Sequence, residues 1–573
     1  MKEKRNNMIK LTASIFLVIF VLSWLLPSSY YNGNQLVEIS KKFGHGVGLF
    51  DAVSSFFYAL TIPALLNNIL YIIAIAISYA VVSKLPAYKV LVNKIVLSYK
   101  DKTNCLTLSL AAFTILLLNL TGSPIAFLMF VPFIMTLLLK SGYAKKEAVS
   151  MVILSIAAGL MGSLIGEKFY MAMFSSLSKT DTLLAFRLIQ MILTTIVLFC
   201  GFRLMPKTNK VETYEVEEKN VKLCPLIFIG IVMVMLFVLS LLSWSRVLDV
   251  KWFNELVQKM IEPAKGAKDT FWSKALSPNI TPFGFWSLQS LIKVMIVSTI
   301  VIALLAKMKL DDFVDALIEG ASKAAKPVIA LFIVNGIIAL SLMIPFMLPM
   351  LDNIAKGTNK VFIGLIKLPI FTLIANFFVP EQEVVVRLVS PAIINNVKDV
   401  ALLNVFPLIW QSFTAVAFML MPTSIIVIAI LSAYEVSYKD YIKTAYKYIL
   451  ALVTAAIITM IASVNLYNKF SIDLVKSAKT LSIIVYIVIV LLLIALIVYA
   501  VIVSKKKLAA SKEQASSKKA LEDKNVLVEK ETKPVAKKQV VKKPTAKKTA
   551  TKKQTAKKPV AKKTTTKKTT TKK

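Results

Sequence analysis

Runs of about 20 apolar residues recur along nearly the whole chain, from Ile9–Pro27 to Thr480–Val503, and that recurrence leaves few folds open. A bilayer core about 30 Å thick is crossed by roughly 20 residues of α-helix. Of the 573 residues 57% are hydrophobic and 17% charged, and the mean hydropathy is +0.70, outside the range of soluble globular domains. The expected class is an all-α polytopic membrane protein. Trp24-Leu25-Leu26-Pro27 closes the first run without a small-residue cleavage site, so that run reads as a span and not as a cleaved signal.

Several chemistries are excluded by what the chain lacks. Three cysteines (Cys105, Cys200, Cys224) and one histidine (His45) are too few for most Cys/His metal sites or a disulfide framework. No G-x-x-x-x-G-K-[ST] loop is present for nucleotide phosphates. Gly162-Ser163 superficially suggests a nucleophilic serine, but the single histidine lies far away in a polar loop, so no catalytic set is expected and the protein is read as a non-enzyme.

The net charge of +38 is unevenly spread. Residues 505–573 hold 25 Lys against 5 Asp and Glu, with Lys-Lys pairs recurring every five residues from Lys537. Thr, Ala, Pro and Val fill the gaps, a composition that buries no core, so this segment is expected to be a disordered polybasic cytoplasmic tail. Two uses stand: a solvated arm that biases topology, or a surface for anionic lipid or nucleic acid.

Charge also sets the expected topology. Lys2, Lys4 and Arg5 place the N-terminus inside, which sends residues 28–47 out. An amphipathic "GLFDAVSSFFYAL" (48–60) and a span at 59–83 lead to a Lys-rich inner segment, Lys84 to Lys102. The apolar stretch 105–139 is broken at Thr121-Gly122-Ser123-Pro124 and flanked by basic residues on both sides, which fits a re-entrant hairpin or a pair of spans joined there. Spans at 148–166, 183–205, 224–245 and 283–306 follow, with an inner loop from Pro206 to Lys222 and an outer loop over 246–282.

The order of parts then restarts. "LDDFVDALIEGASKAAK" (310–326) is a second amphipathic segment, followed by a span at 327–351, a broken apolar stretch at 361–403 and spans at 405–433 and 446–465. One block starts outside and the other inside, the mark of inverted-repeat secondary transporters. The expected organisation is an N-terminal span and loop (1–47), a first repeat (48–205), connecting spans (206–309), a second repeat (310–465), an extra span (466–504) and the tail (505–573), with about ten transmembrane helices and two re-entrant hairpins.

"LSWLLPSS", "GLFDAV", "SGYAKKEAVSM", "GLMGSLIGEKF", "DDFVDALIEGA", "NFFVP" and "MPTSIIVIAIL" followed by "VSYKDYIKTAYKYI" occur in an order and spacing that resemble YfcC-type transporters, of the C4-dicarboxylate carrier-like group in the ion transporter superfamily. The resemblance covers about residues 10–465. It implies a cytoplasmic-membrane secondary carrier, often a dimer in the superfamily, moving dicarboxylates or amino acids by exchange or with a Na+ or H+ gradient and needing no other cofactor. Three departures stand out. After Gly162-Ser163 the chain lacks the family's Asn-Pro pair. After "NFFVP" it carries Glu381, Gln382 and Glu383 where the family has a Ser/Gly-rich tip. Before the intact Pro422-Thr423-Ser424 it reads Phe413-Thr414-Ala415 and Phe418, in place of a Gly-Asp-Gly and an Asn.

Charge in the bilayer is costly, so Glu381, Glu383 and Arg387 are expected to be paired, near an interface or lining a wet cavity. Either Glu383 and Arg387 pair at i,i+4, or Glu381 and Glu383 present carboxylates to a proton, a sodium ion or a substrate amino group. Opposite them the repeat symmetry sets Thr121, Gly122, Ser123, Gly162, Ser163 and Glu167, with Pro422, Thr423 and Ser424 at the later break; helix packing is the alternative use of such small residues. Asn335, Asn376 and Gln411 read as substrate ligands or interhelical hydrogen bonds, and Arg187 and Lys293 as snorkelling cations. Rival readings are a channel and a membrane-anchored scaffold that works through the tail.

Overall fold

The computed structural model describes residues 8–466 except 41–45, 165–182, 217–220, 243, 245–249, 263–269, 276–278 and 359, and beyond them only 487, 488 and 491. Glu167, the span expected at 480–503 (those three residues apart) and the Lys-rich tail therefore lie outside the described residues. The chain divides into two units, Met1–Leu508 and Ala509–Lys573, and everything below concerns the first.

Ten helices among the described residues are long and apolar enough to cross a membrane. Helices Met8–Leu25, Cys224–Leu241 and Leu288–Leu305 keep most of their apolar surface exposed, as bilayer-facing helices do. Val400–Leu420 is almost wholly buried, and Pro63–Lys84 packs along Leu310–Met343. The close approach of that pair rests on Gly320, where a Cβ would stand 2.6 Å from the Ile77 Cα. Small residues serve this purpose where helices meet without a hydrophobic driving force between them.

Two expectations change. The amphipathic 310–326 and the span after it form one 34-residue helix, Leu310–Met343, with Pro327 inside it, and the expected span end at 351 belongs to a separate helix, Met347–Ala355. Proline is tolerated there because packing against neighbouring helices compensates for the lost backbone bond. The helical class holds, with one small addition: strands Ser28–Asn32 and Gln35–Ser40 pair antiparallel around a turn with Gly33 at φ +61°. Asn32 pairs with Gln35, so the loop is Gly33-Asn34, and glycine at its first position supplies the positive φ that such a two-residue hairpin turn requires.

The lysine-rich segments gather at one end. Lys84 pairs with Glu319 at 3.2 Å, Lys140 with Glu212 at 3.3 Å, and Lys326 with Glu435. The Asn93 side chain exchanges two hydrogen bonds with the Tyr214 backbone, at 2.8 and 2.7 Å.

Both broken stretches double back on themselves, and they open at opposite ends. The first runs up Thr103–Thr121, turns at Gly122 (φ +58°) and Ser123, and returns through Pro124–Phe127 and Val131–Lys140. Its arms meet through Phe113 and Phe130, and Thr107 donates to the Tyr143 hydroxyl at 3.1 Å, so both ends lie on the lysine-rich side. The second runs along Val361–Phe378, turns at Val379-Pro380-Glu381 and returns through Gln382–Asn396. Its mouth lies at the other end, beside the β-hairpin.

Each mouth is crossed by another segment. Residues 206–216 cross the first: the backbone amide of Asn209 donates to Gly142 O at 3.1 Å, that of Glu212 to Lys140 O at 3.0 Å, and the Lys207 ammonium to the Thr103 hydroxyl. The β-hairpin crosses the second: Tyr31 donates to Asp352 Oδ1 at 2.7 Å, Asn396 donates to the same oxygen at 2.7 Å, and Asn395 donates to Asn34 O. Burial opposes ionisation of Asp352, but hydrogen bonds from Lys356, Tyr31 and Asn396 outweigh it and hold the carboxyl below its ordinary range. A lowered folded pKa stabilises above the unfolded value near 3.9, and that stability is lost as pH falls through the folded value. Hydrogen-exchange protection of residues 28–40 should therefore hold above about pH 4 and fall in stronger acid. Tyr31→Phe should remove about 1–2 kcal/mol of that protection at neutral pH, and unchanged exchange would dismiss the clasp.

Candidate functional site

The polar groups of the apolar interior collect at the tip of the second hairpin and at the two helix breaks beside it. Glu381 is the N-cap residue of Gln382–Asn396, yet its side chain makes no capping bond. Its carboxylate, 7% exposed, instead accepts from Asn68 Nδ2 at 2.5 Å. Among the described residues no Lys, Arg or His pairs with it, whereas Glu383 and Arg387, one turn apart, form an exposed pair at 3.8 Å. The i,i+4 reading thus describes Glu383 and Arg387, and the structure does not bring them into the buried cluster.

Gln382 and Asn376 tie the tip together. Gln382 donates to Asn376 Oδ1 at 2.5 Å and accepts from the Trp410 indole at 3.1 Å, while Asn376 Nδ2 reaches Thr372 O at 2.8 Å and Thr414 at 3.3 Å. The break after Val400–Leu420 sits beside it. Pro422 lies in that turn, Thr423 donates to Phe377 O at 2.8 Å, and Ser424 donates to Phe418 O at 2.9 Å while capping Ile425–Tyr434. Proline and hydroxyl residues here stop one helix and start the next without leaving bare polar groups in an apolar setting.

The end of Lys145–Met161 is held in the same way from across the interior. Gln411 Nε2 is shared among Leu160 O, Met161 O and Ser163 O at 2.9, 3.1 and 2.7 Å, and Arg187 donates to Leu164 O at 3.0 Å. Arg187 is 2% exposed, so it does not snorkel, and it holds a broken helix end instead. Gly162 lies so close to the Met191 backbone that a Cβ would stand 2.6 Å from its Cα. At the first hairpin the hydroxyls of Thr121 and Ser123 bond locally, to Leu117 O and Thr121 O, and Gly122 supplies the left-handed turn. These three shape the tip without reaching the Glu381 cluster.

Pro63–Lys84 touches both tips, a role the sequence reading missed. Asn68 meets Glu381, and Tyr71, one turn on, donates to Ala126 O of the first tip at 2.5 Å. Asn335 donates to Leu65 O at 3.1 Å from the facing helix. The available signal was "LLNNILY", two amides and a phenol within an otherwise apolar run.

The sequence model of the DcuC family, described as C4-dicarboxylate anaerobic carrier, matches residues 7–465. The chain belongs to the DcuC family. The match agrees with the motif resemblance and ends where that resemblance ends, so the DcuC part holds both hairpins, both breaks and the Glu381 cluster. Two solved transporters are similar at low identity. The Alcanivorax borkumensis YdaH transporter is 11% identical with a TM-score of 0.37, covering 79% of this chain and 97% of its own. Neisseria gonorrhoeae MtrF, from a structural study of a class of antimetabolite efflux pumps, is 13% identical with a TM-score of 0.33, covering 79% and 94%. No curated protein matches.

Proposed function

We propose that this DcuC-family protein is a secondary carrier that moves a small charged metabolite, an amino acid or a dicarboxylate, across the cytoplasmic membrane by alternating access. The regions 48–205 and 310–465 act as inverted repeats about the site, and the positive-inside rule assigns the lysine-rich end to the cytoplasm. The observation that carries the reading is Glu381, a buried carboxylate at a hairpin tip whose near partner is a neutral amide. A buried charge persists where it is paired or serves a pathway, and the pairing cation here is supplied by cargo or by a coupling ion. A carboxylate in place of a small polar tip favours substrates bearing an amino group over plain dicarboxylates.

The test is uptake and counterflow in proteoliposomes, using labelled amino acids and dicarboxylates with and without Na+ and H+ gradients. Saturable uptake is expected. Glu381→Gln keeps the shape and removes the charge, and is expected to lower uptake at least tenfold, with Glu381→Asp retaining part of it. Full activity in Glu381→Gln would dismiss the assignment.

A further inference from the structure

Three amide oxygens on two facing helices are buried without a partner among the described residues, and one of them belongs to Asn68, whose nitrogen holds Glu381. Asn68 is 1% exposed and Asn335 0%, and the Oδ1 of each makes no hydrogen bond; Asn67 Oδ1, on the same turn, is in the same state. The orientation of the first two amides is fixed by their neighbours. Turning Asn68 over would set its oxygen against the Glu381 carboxylate, and turning Asn335 over would set its oxygen against Leu65 O. One N–H of each amide is thereby used, and both oxygens are left buried without a partner among the described residues. Both amides lie within one turn of Pro63–Lys84, because Asn335 reaches the main-chain carbonyl of Leu65, three positions before Asn68. An orphaned buried acceptor costs about 1–3 kcal/mol, and a site that holds several of them beside an uncompensated carboxylate is built for something that accepts oxygen lone pairs.

We propose that Asn68, Asn335 and Glu381 form a sodium site between the paired helices Pro63–Lys84 and Leu310–Met343 and the tip of the second hairpin. The donor set selects the ion. All the donors are hard oxygens, which suit alkali and alkaline-earth cations and not soft metals. One carboxylate balances one positive charge; a divalent ion would leave a net charge buried. A proton on Glu381 would satisfy one acceptor only, leaving the Asn335 oxygen as it is, whereas a dehydrated sodium ion engages several at once. Because one ligand rides on the hairpin tip and the others on helices outside that hairpin, sodium would hold the tip against those helices.

This inference rests on Glu381 as the acceptor of positive charge, and its failure is separable from failure of that reading. The experiment uses the full-length protein in detergent at pH 8, with 22Na+ binding and thermal melting in NaCl, KCl or choline chloride at equal ionic strength. Saturable 22Na+ binding and a melting temperature raised by Na+ alone are expected. Asn335→Leu, which keeps the volume and removes the oxygen, should weaken Na+ binding at least tenfold while melting in choline chloride stays near wild type. If it does not fold, Asn335→Ser is expected to weaken binding to the same degree. No binding by the wild-type protein, or wild-type affinity in these variants, would overturn the site. If Na+ does not bind while Glu381→Gln still abolishes uptake, the sodium assignment falls and Glu381 keeps its role for a proton or an amine.

Discussion

Gln411→Leu is expected to destabilise the protein by about 1–3 kcal/mol and to abolish uptake. A single Nε2 serves the carbonyls of Leu160, Met161 and Ser163 at the end of Lys145–Met161. Leu160 O retains the Ser163 amide at 3.1 Å, so the largest loss falls on Met161 O, a carbonyl in a dry interior, at about 1–3 kcal/mol. Leucine fills nearly the same space, which makes the loss one of hydrogen bonding and not of packing. Thermal melting in detergent reads the first effect and proteoliposome uptake the second. A wild-type melting temperature would show that the helix end does not depend on Gln411.

Gly320→Val is expected to destabilise the protein by about 3 kcal/mol or more. A Cβ at Gly320 meets main chain on the facing helix, Ile77 Cα at 2.6 Å and Ala76 O at 2.8 Å. Backbone cannot rotate away, so Pro63–Lys84 and Leu310–Met343 must separate along their whole contact, and with them Asn68 and Asn335. Overpacking of a tight interior costs about 1–3 kcal/mol even where side chains can yield. Gly230, whose Cβ position is open, is the control: Gly230→Ala should be neutral or stabilising by up to about 1 kcal/mol. Equal melting temperatures for the two variants would refute the packing argument.

The spans and both breaks were legible because a membrane imposes long apolar runs and concentrates lysine at one end. The buried site was legible only in part. Glu381 could be singled out, since a carboxylate deep in an apolar chain needs a reason. That Glu383 and Arg387 face away while Glu381 faces inward follows from where the helix begins: Glu381 is its N-cap, and the other two share an outer face one turn apart. A boundary of that kind is set by tertiary packing. Asn68 was passed over because an isolated amide in a span is more often used for helix packing, and its partner is 313 positions away. Arg187 was misread for a similar reason, since the carbonyl it serves belongs to a helix end 23 positions earlier in the chain. The β-hairpin carried its own local signal, the two-residue Gly33-Asn34 turn, which the loop reading of 28–47 did not use.

The two clasped mouths have a mechanical consequence. A hairpin tethered at its base, by Asp352 and Asn395 in one case and by Lys140 and Gly142 in the other, behaves as a lever with its fulcrum at the membrane surface and its free end in the interior. The 18-residue arm Val361–Phe378 is about 27 Å long at 1.5 Å per residue, so a swing of 10° about its base carries Glu381 roughly 5 Å. That travel exceeds the reach of a hydrogen bond. A small rotation about a clasped base is therefore enough to make or break the contact with Asn68, and the two levers have their bases at opposite ends of the helices.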